Sequence, residues 1–120
     1  SLTWGAYLGY LWLSTKSMQG RPADDLLRAL PELQPYKERA LVYCYSPGCG
    51  PCRQMSPMID ALQERGLPIV KMDISSHLGL ARDLGIRAAP TTLLLEHSRV
   101  QLALLGRQSQ ARIEQLLQGG

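Results

Sequence analysis

A chain of 120 residues, 45% hydrophobic and 19% charged, is long enough to bury one core of its own and has the composition of a single globular domain. Thirteen Lys and Arg against ten Asp and Glu leave a net charge of +3. These cations are scattered, with no run that could track a phosphate backbone, so nucleic acid is not an expected partner. Three cysteines exclude a disulfide framework, since at most one intramolecular pair can form.

The head of the chain, residues 1–14, stands apart. It begins with Ser1, carries no charge, and holds Trp4, Tyr7, Tyr10 and Trp12, four of the seven aromatic residues. Twelve such residues would make a helix of about 18 Å, short of the ~30 Å hydrocarbon core of a bilayer. The head lacks the basic start and small-residue cleavage site of a complete signal peptide. It reads equally as the end of a membrane anchor that associates through residues 2–13, or as a helix or strand capping the core or a partner molecule. Interfacial Trp and Tyr fit the anchor.

Residues 15–39 read as a linker followed by a helix over Pro22–Leu33. Proline suits a first helical turn, Asp24 and Asp25 suit the positive end of the helix dipole, and Leu26, Leu27 and Leu30 share a face. The domain proper is expected over residues 40–120. Ala40–Tyr45 is a short apolar run bounded by turn residues, hence a buried strand. Gly50–Arg65 carries Met55, Met58, Ile59 and Leu62 at helical spacing, with Pro57 kinking the helix and Gly66 stopping it. Pro68–Ile74 is a second strand, and His77–Leu84 a short helix closed by Gly85. Thr91–Glu96 and Val100–Leu105 form a hairpin about His97-Ser98-Arg99, and Ser109 caps a last amphipathic helix. The order β-α-β-α-β-β-α implies a parallel pair joined by a crossover, then antiparallel strands, with helices on both faces of a mixed sheet.

The chemistry is concentrated in YCYSPGCGPCR, residues 43–53. One CxxC pair with two isolated histidines, His77 and His97, is too few ligands for a zinc site, so no metal is expected. A disulfide closing so small a loop stabilises little. Redox chemistry fits better. Cys49 follows a strand at the N-terminus of a helix, where unpaired N–H groups and the dipole favour a thiolate. Cys52, one turn on, lies within reach and can resolve a mixed disulfide. Cys44 points opposite to Tyr43 and Tyr45 and reads as a small apolar core group.

From about Leu41 to Leu117 the chain resembles the thioredoxin family. The resemblance rests on CGPC at 49–52, Pro57 within the following helix, Lys71 in IVKMDI, Gly106 in the last strand, and IRAAPT at 86–91. It implies the thioredoxin fold with an added apolar N-terminal segment. It also implies a cis peptide before Pro90, with Ala89 and Pro90 lying against the cysteines to bind substrate, and Gly50, Pro51, Tyr43 and Lys71 supporting the site. Three positions depart from the family. Gly48 replaces the tryptophan before CGPC on the substrate-facing surface. Tyr43 replaces the aspartate behind the resolving cysteine, which leaves Lys71 without its usual carboxylate. The aromatic head replaces the usual first strand.

The expected function is a thiol-disulfide oxidoreductase that reduces protein disulfides, with Cys49 attacking and Cys52 resolving. It needs no cofactor beyond the redox-active Cys49–Cys52 disulfide. Its partners are disulfide-containing proteins and an upstream electron donor. A disulfide oxidase or isomerase, and a thioredoxin-fold binding module that has lost its redox role, are the alternatives. An anchored head places the domain in the periplasm, while Lys16 and Arg21 just after it favour a cytoplasmic location.

Overall fold

The structure, a computed structural model, describes residues 22–118, so both readings of the head and the linker reading up to residue 21 lie outside the described residues. The first helix, α1, spans Asp24–Ala29, shorter than the Pro22–Leu33 expected from sequence. Pro22 precedes it, making an isolated antiparallel bridge to Arg99. The helix ends at Leu30, whose backbone (φ −123°, ψ 83°) has left the helical region because the next residue is a proline. Pro31–Tyr36 continues as a 3₁₀ helix.

Four strands follow: β1 (Arg39–Tyr45), β2 (Ile69–Asp73), β3 (Thr91–Glu96) and β4 (Arg99–Leu105). They form one mixed sheet in the order β2-β1-β3-β4. β1 pairs in parallel with β2, and antiparallel with β3, which pairs antiparallel with β4. β2 stops one residue early because Asp73 caps a 3₁₀ turn over Ile74–Ser76, accepting the Ser75 N–H at 2.9 Å. The hairpin turn is the pair His97-Ser98, both with positive φ, as a two-residue turn of matching twist requires. Arg99, placed in the turn by sequence, belongs to β4.

The crossover from β1 to β2 carries α2 (Gly50–Glu64), α3 (Leu78–Leu84) leads toward β3, and α4 (Gln110–Leu117) closes the chain. Side chains of β1 alternate between two cores. Ala40, Val42 and Cys44 face Leu26, Leu33 and Leu84 of the α1 and α3 side. Leu41 and Tyr43 face Met55, Ile59, Leu62 and Ile113 of the α2 and α4 side. β1 is therefore buried on both faces, and the alternation of polar and apolar residues that marks a surface strand is absent from it. Leu26 and Leu33 are fully buried, so α1 and the 3₁₀ helix pack into the same core as the strands.

Candidate active site

The site forms where β1 runs out and α2 begins. Cys49 is the N-cap residue of α2, extended at φ −84° and ψ 118°, and its Sγ accepts the backbone N–H of Cys52 at 3.2 Å. Its own N–H is held by the Ser46 carbonyl at 3.2 Å. Pro51 lies in the first turn, where the N–H it lacks has no helical partner in any case. Cys49 and Cys52 are joined as a disulfide with Cα atoms 5.2 Å apart. The two sulfurs differ in access, as attack and resolution require: Cys49 is half-buried, whereas Cys52 is 2% exposed. Gly48 and Gly50 are exposed, with open space where a side chain would stand.

The Ala89–Pro90 peptide is cis. The chain on either side of Ala89 is pinned. Thr91 Oγ1 donates to the Ala88 carbonyl at 2.7 Å, and the Gly106 N–H donates to the Pro90 carbonyl at 2.8 Å. Neither the N–H nor the C=O of Ala89 is paired among the described residues. Ala89 and Pro90 line one cleft with Gly50, Pro51, Gly106 and Arg107. The cleft thus brings Ala89 and Pro90 together with Gly50 and Pro51, which Cys49 and Cys52 flank in the chain.

Tyr43 supports this cluster from behind. Its ring is fully buried, its hydroxyl donates to the Cys52 carbonyl at 3.1 Å and lies 3.1 Å from Ser56 Oγ. Burial pushes the Tyr43 phenol above its ordinary value, opposed by the Ser56 hydrogen bond and by Lys71. The ring stacks on Tyr45, with centroids 5.7 Å apart. Lys71 sits further out. Position 43 indeed offers Lys71 no carboxylate, but another does: its Nζ pairs with Asp60 Oδ1 at 2.9 Å and lies 5.3 Å from the Tyr45 ring centroid. The replacement carboxylate comes from α2 rather than β1.

Sequence reading missed Ser56 and Asp60, although the signal was present. Cys52, Ser56 and Asp60 recur every four residues, which places them on neighbouring positions of one face of α2. Cys44 lies on the opposite side of the sheet, fully buried, and burial pushes its thiol up to about 12. His77, just before α3, and His97, in the hairpin turn, lie in separate connections, and among the described residues no three His, Cys, Asp or Glu side chains cluster as metal ligands would.

A mixed sheet sandwiched by helices, with a half-buried and a buried cysteine at the start of the crossover helix and a cis-proline lining the cleft at that turn, defines a thiol-disulfide oxidoreductase. Comparison with known proteins agrees. The thioredoxin family profile matches residues 30–119. A thioredoxin from Porphyra purpurea is 30% identical over 80 residues, covering 64% of this chain and 75% of that protein. One from Streptomyces clavuligerus is 31% identical over 92 residues, covering 75% and 84% respectively. Among solved structures, a point-mutant thioredoxin from Halobacterium salinarum superposes with a TM-score of 0.63 at 25% identity, covering 68% of this chain and 74% of that one. Oxidized mitochondrial thioredoxin 3 from Saccharomyces cerevisiae gives 0.65 at 20% identity, covering 79% and 90%, a likeness of fold. The chain belongs to the thioredoxin family.

Proposed function

We propose that this oxidoreductase works as a reductase of protein disulfides, with Cys49 as nucleophile and Cys52 as resolving thiol. The observation that carries the assignment of roles is the unequal access of the two sulfurs, Cys49 half-buried at the helix N-cap and Cys52 buried behind it. In the reduced protein the Cys49 thiolate attacks one sulfur of a substrate disulfide, and the other substrate sulfur leaves as a thiolate that takes a proton. Cys52, deprotonated, then attacks Cys49 Sγ and expels the second substrate thiol, leaving the Cys49–Cys52 disulfide. A dithiol donor returns the two electrons, so the cysteine pair itself is the only redox group required. The backbone of Ala89, unpaired and next to the cleft, offers a substrate segment a strand-like hydrogen-bonding edge. Tyr43 and Gly50-Pro51 hold the first turn of α2 in place, and Lys71 acts on the site only at a distance, through Tyr45 and Tyr43.

The reducing direction is tested by equilibrating the pair against dithiothreitol and glutathione buffers. A potential near about −270 mV is expected, and one at or above about −180 mV would transfer the protein to oxidation or isomerisation. The roles are tested by Cys52→Ala, which should accumulate mixed disulfides through Cys49. Partners that bind equally well after Cys49→Ser, and no reversible disulfide in the parent, would instead favour the binding module. Among the described residues no helix is long and apolar enough to cross a membrane. The same proposal places the domain in the periplasm, held to the membrane by residues 2–13, on the support of the uncharged aromatic head; Lys16 and Arg21 support the cytoplasmic alternative. Protease protection of the anchored protein in intact cells decides between them.

A further inference from the structure

We propose that the segments this reductase binds are acidic, the disulfide it attacks being flanked by carboxylates that Arg82 and Arg87 hold in a cleft beside Cys49. The inference rests on the reductase reading and names its substrate class. The cleft, of about 640 Å³, runs from Ser46, whose carbonyl anchors Cys49, to Ala88 and Ala89 ahead of Pro90. Its apolar lining includes Ile74, Leu78 and Ala81, and Leu78 is 62% exposed, the more exposed of the two large hydrophobic side chains open to solvent among the described residues. Arg82 and Arg87 both line this cleft and both are exposed. The second cleft, lined by Gly50, Pro51 and Arg107, shares Ala89 with the first, so the two clefts adjoin at Ala89, with arginines in both and the residues between the two cysteines in the second. Neither lining contains Asp or Glu.

The charge has a partial internal explanation. Arg82 lies in the last turn of α3, where a cation complements the helix dipole. That account covers neither Arg87, which lies beyond the helix, nor Arg107 on the far side. Among the described residues Arg107 bonds to the neutral amide of Gln54 and to no carboxylate, and no ion pair among them engages Arg82 or Arg87. Away from the clefts Arg28, Arg39 and Arg65 each meet a carboxylate while, among the described residues, Arg53 and Arg112 do not, so what marks the clefts is three arginines gathered along adjoining linings without an acidic residue. Guanidinium forks left without carboxylates, next to an apolar cleft and an unpaired backbone edge, match a strand-like substrate that brings both an apolar side chain and its own carboxylates. Exposed charges of this kind act chiefly on encounter rate and selectivity, and salt screens them.

The experiment compares three short peptides, each with one disulfide and flanked by Glu, Ser or Lys. Reduction by the dithiol form of the full chain is followed at low and at high salt, with neutral 2-hydroxyethyl disulfide as a check on the chemistry. The expected kcat/KM at low salt is about tenfold higher for the Glu peptide than for the Lys peptide, shrinking to about twofold in about 0.5 M NaCl. In the Arg82→Glu/Arg87→Glu protein the order should invert, and in Arg82→Gln/Arg87→Gln the two peptides should be reduced alike. Equal rates in the parent, a Lys preference, or a Glu preference that survives both double variants would overturn the proposal. If the parent fails to reduce hydroxyethyl disulfide, the reductase reading itself fails and takes this proposal with it.

Discussion

Tyr43 and Cys44 are consecutive in β1, yet the pleat sends one toward the redox helix and the other into the core beneath α1 and α3. The phenol finds partners there, a carbonyl of the active-site turn and the Ser56 hydroxyl. Among the described residues the thiol has only the Val42 carbonyl, 3.9 Å from its Sγ, amid apolar side chains, so ionising it is unfavourable and burial raises its value from 9.0 to about 12. A raised acid favours the folded state only while both states keep the proton. Above pH 9 the unfolded chain releases it and the folded chain does not, so stability falls with pH until both have lost it near 12. Each pH unit inside that window removes about 1.4 kcal/mol. Between about pH 8 and about pH 10.5 the oxidised parent should therefore lose about 2 kcal/mol more than Cys44→Ala does, measured by urea unfolding of both. A difference between parent and variant that stays constant over that range would show that Cys44 does not titrate with folding.

At the scale of elements, the two helices on the redox face are capped by different chemistry. α2 uses the Cys49 sulfur, 3.2 Å from the Cys52 N–H, while α4 uses Ser109 Oγ, 3.1 Å from the Arg112 N–H. A hydroxyl cap of this kind contributes about 1 kcal/mol. Ser109→Ala should therefore lower the melting temperature by about 4 °C in a domain of this size, and an unchanged melting temperature would show that water satisfies the Arg112 N–H equally well. This cap was legible beforehand because serine directly before an amphipathic run is a local signal, as were the strand runs and the glycine closing α3. The early break in the first helix needed more. Leucines at helical spacing continue through Leu30 and Leu33, and only the torsional limit on a residue preceding proline shows that they occupy two elements. Arg99 escaped for the converse reason: two non-glycine residues, His97 and Ser98, both adopt positive φ, so the turn is shorter than their side chains suggest.

The whole molecule is a sheet with two separate cores, and the reactive end lies where β1 leaves it. The cysteines and Pro90 could be read from sequence because each belongs to a short motif. The environment of Lys71 could not, because its carboxylate, Asp60, lies on another element and only the packing of α2 over β2 brings them to 2.9 Å. The same logic separates the cores. Ile59, on α2, and Ile86, after α3, are buried on opposite faces of the sheet and belong to different clusters. Removing one methylene from either should cost about 0.5–1.5 kcal/mol. With a layer of backbone between them and no shared neighbours, the costs should add, and the Ile59→Val/Ile86→Val protein should fall within about 0.5 kcal/mol of the sum in urea unfolding. A larger coupling would mean that the sheet passes packing strain from the α1 and α3 side to the helix carrying the cysteines. The disulfide would then respond to core substitutions on the far face, and its reduction potential in Ile86→Val would move with the coupling. Additive costs and an unmoved potential would mean that the redox helix depends on its own face alone.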